Sequence, residues 1–237
     1  MNKSYTILLI LFFSVASIGY CQTAREYCLK GVSKSELKDF TGAITDYSKA
    51  IEINPKFGLA YCLRGKAKID LEDYRGAIAD YNMAIEINPK DVGAYYFRGN
   101  AKRYLDNNNG AINDYNMAIA INPLDAGSYF GRGIAKANLI DNQGAIFDYT
   151  KVIEINPKDA EAYFSRGVAK VQLDDYRGAI QDHTKALEIN PKFSESYYSR
   201  GLAKLALNDN DSGCLDLSRA GELGVAKAYD AIKQFCK

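Results

Sequence analysis

From Ala24 onward the apolar residues of this chain recur at helical spacing. In RGAIADYNMAIEIN, residues 75–88, Ile78, Tyr81 and Ile85 fall on one side of a helix, with polar groups on the other. A second helical stretch precedes it, GLAYCLRGKAKIDL over 58–71, and the same pairing returns along the chain. The pairs are separated by near-copies of one heptapeptide: AIEINPK from Ala50 and Ala84, AIAINPL from Ala118, VIEINPK from Val152 and ALEINPK from Ala186. Their asparagines, Asn54, Asn88, Asn122, Asn156 and Asn190, are 34 residues apart, and a fixed step of that size marks a repeat array. Each following proline cannot continue a helix and biases the asparagine before it away from one. The pattern therefore predicts helical hairpins, each turning near position 15 of a 34-residue unit. With proline as position 32, the units span 24–57, 58–91, 92–125, 126–159, 160–193 and 194–227, and the amphipathic segment 228–237 is left to cover the last.

Six copies in one chain permit an internal comparison in which constant positions serve stacking and variable ones are free for a partner. Position 8 is always glycine, from Gly31 to Gly201. Glycine inside a helix costs about 1 kcal/mol relative to alanine, so the two helices are expected to touch there too closely for a Cβ. Tyr47, Tyr81, Tyr115 and Tyr149 at position 24 read as core. Each apolar stripe is covered only by the next hairpin, at roughly 1.5 to 3 kcal/mol per large side chain buried. Position 7 is basic in every unit, position 11 is always lysine and position 23 always aspartate. A ladder of ion pairs between helices is expected from Arg64, Arg98, Arg132 and Arg166 with Asp80, Asp114, Asp148 and Asp182. The competing reading is an anion-binding stripe; the matching aspartate in every unit favours pairing.

These units resemble the tetratricopeptide repeat over nearly the whole chain after the first 23 residues. The third carries the family pattern as Tyr95, Gly99, Ala111, Tyr115, Ala118 and Pro123. Arginine stands where the family usually has leucine at position 7, Val152 at position 27 of the fourth unit and His183 at position 24 of the fifth. The sixth unit is worn, with Gly213, Leu217 and Val225 at positions 20, 24 and 32. The resemblance implies an all-α fold, a right-handed α-solenoid of six hairpins with a C-terminal capping helix. It also implies that the first helices line a concave groove through positions 2, 5, 9, 12 and 13. Lys66, Asp70, Tyr96, Asn100 and Arg103 would line its polar beginning, and Phe130, Ile134, Phe164, Val168 and Tyr198 its apolar continuation. Such a wall suits a peptide with one charged and one apolar end; the other reading is that these side chains pack against one another, the cap or a second copy. Family members that clamp a terminal carboxylate use Lys and Asn at positions 5 and 9 of the first unit, where this chain has Cys28 and Val32.

Charge and chemistry narrow the reading further. Thirty Lys and Arg balance 29 Asp and Glu, so there is no basic field to gather a nucleic acid. The single histidine, His183, has no companion ligands, and no phosphate loop, dinucleotide signature or nucleophile motif appears. No enzyme activity, cofactor or metal is expected. Lys3 followed by an apolar run from Ile7 to Gly19 reads as a secretory signal over 1–21, with cleavage before Gln22 or Tyr20. The alternative makes Cys21 a lipidated first residue. Cys28 and Cys62, at matching positions of adjacent units, read as free thiols, whereas Cys214 and Cys236 are placed to bridge the last hairpin and the cap. The expected protein is an exported, periplasmic or extracellular scaffold that holds a protein or peptide in its groove. The alternatives are a lipid-anchored, pilotin-like envelope assembly factor and the regulatory subunit of an enzyme.

Overall fold

A computed structural model describes residues 23–236; the expected signal segment over 1–21, with Cys21, lies outside the described residues. Every regular element among the described residues is a helix, and the described residues divide into two compact units, one up to Asn122 and one from Pro123 onward. The first holds α1 (23–36), α2 (Phe40–Ile53), α3 (Gly58–Asp70), α4 (Tyr74–Ile87), α5 (Val92–Tyr104) and α6 (Asn108–Ile121). The second holds α7 (Ala126–Asn138), α8 (Asn142–Ile155), α9 (Ala160–Val171), α10 (Tyr176–Ile189), α11 (Ser194–Ala206), α12 (Asn210–Glu222) and α13 (Lys227–Phe235). Within each unit consecutive helices pair into hairpins, and consecutive hairpins stack as in an α-solenoid.

Local chemistry sets the helix ends. The tip of each hairpin passes through one residue with positive φ: Lys38, Glu72, Asp106, Ile140, Asp174 and Asn208, all between 57° and 64°. In the second hairpin the Asp73 amide returns to the Lys68 carbonyl and the Glu72 amide to Ile69, so the left-handed residue closes the end of α3. The next residue caps the following helix. Asp39, Asp73, Asn107, Asp141 and Asp175 each accept a bond from a glycine amide three residues on. At the other end the recurrent Asn-Pro-Lys segment forms an Asx turn, in which Asn54, Asn88, Asn156 and Asn190 accept from the lysine amide two residues later.

The position-8 glycines lie against the rings of the second helix. A Cβ on Gly99 would stand 2.8 Å from the Tyr115 ring, and one on Gly167 2.8 Å from the His183 ring. In the sixth hairpin, where Leu217 replaces the ring, the helices meet backbone to backbone: a Cβ on Gly201 would lie 3.0 Å from the Gly213 carbonyl oxygen. Helix α13 packs on α12 through buried Ala228 and Ala231, with Tyr229 against Gly221, and Cys214 is disulfide-bonded to Cys236.

Candidate functional site

The constant charged positions form one motif. Arg98 donates from Nε and Nη2 to Asp114 at 2.9 and 2.6 Å, while Lys102 Nζ stands 2.8 Å from the same carboxylate. Asp80, Asp148, Asp182 and Asp216 are held alike by Arg64 with Lys68, Arg132 with Lys136, Arg166 with Lys170 and Arg200 with Lys204. A planar guanidinium matches a carboxylate with two parallel bonds, and Lys supplies the third donor, which permits burial of the aspartate. The ladder is therefore occupied by structural pairs, and no free anion-binding stripe remains along it. The first hairpin departs from the pattern: Lys30 lies over the Tyr27 ring at 5.0 Å, and among the described residues Asp46 is met by Lys34 alone, at 2.6 Å.

Two further roles of the arginine had not been read from the sequence. Its Nη1 reaches back to the preceding hairpin, Arg64 to Ser48, Arg98 to Asn82, Arg166 to Thr150 and Arg200 to Thr184. Its guanidinium also lies over the position-4 tyrosine, 5.4 Å for Arg98 above Tyr95. A signal existed for the first: position 25 always carries a short hydroxyl or amide, Ser48, Asn82, Asn116, Thr150, Thr184 and Ser218.

The variable positions lie on the first helices. In the first unit Lys66 and Asp70 are exposed and line a cleft of about 330 Å³ together with Val32, Glu36, Phe40 and Leu63. Asn100 accepts the Tyr115 hydroxyl at 2.7 Å, and Tyr96 packs on Phe97 and Tyr115, so both are committed within the unit. Arg103 lies 4.8 Å from the Tyr104 ring, which stacks on Tyr74. Its Nε is buried without a hydrogen-bond partner.

The second unit presents a different wall. Phe130 packs on Tyr149, Ile134 joins the same cluster, and Phe164 lies between His183 and Phe193. These side chains are half-buried, and Val168 beside them is exposed. A cleft of about 320 Å³ opens between α7 and α9, lined by Ala137, Ile140, Tyr149, Phe164 and Val168 among others. A second, of about 230 Å³, lies between α9 and α11 against Val168, Val171, Tyr176, Leu202 and Ala203. No Asp, Glu, Lys or Arg lines either. Tyr198 is drawn to the end of the unit instead, with Lys227 of α13 at 4.4 Å over its ring.

The titratable groups offer little chemistry. His183 is fully buried with Ser196 at its Nδ1, and burial lowers its pKa to about 4, Asp182 opposing. Burial also pushes the Cys62 thiol up to about 12, which leaves it unreactive, and Cys28 is raised for the same reason. Among the described residues no cluster of His, Cys, Asp or Glu could hold a metal ion, and no helix is long and apolar enough to cross a membrane.

Models of the tetratricopeptide repeat match residues 24–57 and 160–193, and a TPR repeat model matches 65–102. No curated protein matches the sequence. Among solved structures, that of MamA is 29% identical, covering 70% of this chain and 96% of its own, with a TM-score of 0.65. Pseudomonas aeruginosa pilF is 13% identical over 91% of this chain and 99% of its own, TM-score 0.78. YrrB, described as a TPR protein with an unusual peptide-binding site, is 20% identical over 79% and 97%, TM-score 0.67. The last two share the fold. Residues 24–57, 65–102 and 160–193 are tetratricopeptide repeats, and the chain has the fold of a tetratricopeptide repeat solenoid.

Proposed function

We propose that this protein is a non-enzymatic interaction scaffold that holds a segment of a partner protein against the first-helix face of its second unit. One observation carries the reading: two adjoining clefts on that face are lined by apolar and uncharged groups, while the recurrent arginines, lysines and aspartates of the same unit are already paired with one another. The aromatics at position 5 give this face its half-buried apolar floor. Tetratricopeptide repeat proteins generally act by holding other proteins, and YrrB is described with a peptide-binding site of its own.

The proposal includes export, on the strength of Lys3 and the apolar run from Ile7 to Gly19. Affinity capture from separated cell fractions tests both parts. The chain and a stoichiometric partner should be recovered outside the cytoplasm, and Val168→Asp, which places a charge at an exposed position of the face, should lose the partner without loss of fold. Capture unchanged by Val168→Asp would remove the face from the function, and recovery of the chain from the cytosol alone would remove the export.

A further inference from the structure

The two clefts of the second unit share Val168 and Gln172, so they meet at the last turn of α9, one hairpin step apart. Packed helices lie about 8 to 10 Å apart, which sets the distance between whatever fills them. An extended chain in the polyproline-II conformation rises about 3.1 Å per residue with three residues per turn, so residues i and i+3 share a face roughly 9 Å apart. A β-strand places same-face residues about 7 or 13 Å apart, and neither matches.

Gln172 bears on the same choice. It caps α9, is exposed, and its side-chain amide makes no hydrogen bond to a described residue. A bound helix satisfies its own amides and would leave this group idle, whereas a polyproline-II segment has free backbone groups for it to meet.

Ile140 supplies an independent sign. At the other five hairpin tips the left-handed position carries a polar residue; at the fourth it is isoleucine, with φ 64° and 83% exposed. A β-branched residue is among the least suited to that conformation, and strain of this kind tends to be kept where a side chain is used. This one lines the larger cleft.

We propose that the second unit reads an uncharged, extended segment through two apolar side chains three residues apart, the first seated against Ile140 and Phe164, the second against Val171 and Leu202, with Gln172 bonded to the backbone between them. This rests on the reading that the face binds a partner and adds the chemistry of what it takes. The absence of charged lining means that a terminal carboxylate or a basic anchor finds no counter-ion in either cleft.

The test uses the purified chain and labelled synthetic dodecapeptides, acetylated and amidated, with two leucines at spacings from i+2 to i+7 in a Ser/Gln background. By fluorescence polarisation the i+3 set should bind at least about tenfold tighter than single-leucine controls, as expected for burial of one further large side chain. Prolines between the leucines should tighten it by preordering the segment. Lys or Glu in place of either leucine should abolish binding. Ile140→Gly should weaken the i+3 peptide about tenfold while the urea midpoint stays level or rises, which separates a lost anchor from a lost fold. An optimum at i+7 would replace the extended segment by a helix and overturn the proposal. So would a preference for charged peptides, no binding at any spacing, or affinity indifferent to Ile140→Gly. If Val168→Asp nonetheless abolishes partner capture, the face survives as a binding surface and only its specificity has been misassigned.

Discussion

The two units share one backbone device and use different walls. Four of the aspartates clamped by arginine and lysine, Asp80 and Asp114 in the first unit and Asp148 and Asp182 in the second, sit in the same geometry. Yet position 5 runs Cys28, Cys62, Tyr96 in the first unit and Phe130, Phe164, Tyr198 in the second. In the first unit the cleft around Lys66 also holds Glu36 and Asp70, whereas in the second the two first-helix clefts, between α7 and α9 and between α9 and α11, hold no charge. The side chains that hold a hairpin together are thus separable from those left free to vary. The first group is fixed by contacts inside the hairpin and with its neighbour, so it repeats. The second has no such obligation and can diverge.

The comparison can be broken first at the clamp. Asp148 is fully buried, and Asp148→Asn leaves Arg132 and Lys136 facing a neutral amide; the expected loss is about 3 kcal/mol or more in urea unfolding. Asp46→Asn in the first hairpin should cost much less, because among the described residues its cation is the part-exposed Lys34 alone. Equal losses would mean that the clamp is not what holds the hairpins.

A second test uses the one ring at position 24 that is not tyrosine. Burial keeps His183 neutral down to about 4, against an ordinary value near 6.5. Below pH 6.5 the unfolded chain takes up a proton that the folded chain refuses, so stability falls as pH drops from 6.5 toward 4. At pH 5 the loss is about 2 kcal/mol. His183→Tyr, which installs the ring used at Tyr47, Tyr81, Tyr115 and Tyr149, should flatten this part of the profile, read as the difference between variant and wild type in urea at pH 7 and 5. An identical acid slope in both proteins would show that the imidazole is reached by water.

The smallest effect concerns the glycine contact. Gly99→Ala forces the Tyr115 ring to move, at a cost of about 1 to 3 kcal/mol, while alanine's better helix propensity returns about 1 kcal/mol. The net result should be a melting temperature lower by a few degrees. Combining it with Tyr115→Leu, which copies the Leu217 of the sixth hairpin, should make the alanine less costly than it is alone; simple additivity would place the strain elsewhere than at the ring.

Much of this molecule could be read directly from its residues. The 34-residue step gave the hairpins, and α3, α5, α7, α9 and α11 begin at residues 58, 92, 126, 160 and 194, where proline counting put the unit starts. Proline and the asparagine before it act locally, which is why their message survives without coordinates. The glycine row also announced itself, since six unfavourable residues in helices demand a reason in packing. The hairpin tips were silent: no glycine marks the left-handed positions of Glu72, Asp106 or Ile140, because the closing bonds of the preceding helix impose that conformation on whatever residue stands there.

What the sequence determined by itself was the helical hairpin and its repetition, because periodicity, caps and breakers act over a few residues. Only the tertiary structure decided which variable side chains remain available. Asn100 was drawn into a bond with Tyr115 and Tyr198 beneath Lys227 of the cap, while Ile140 was left standing beside an open cleft. Availability depends on neighbours that are distant along the chain, and helical spacing carries no record of them.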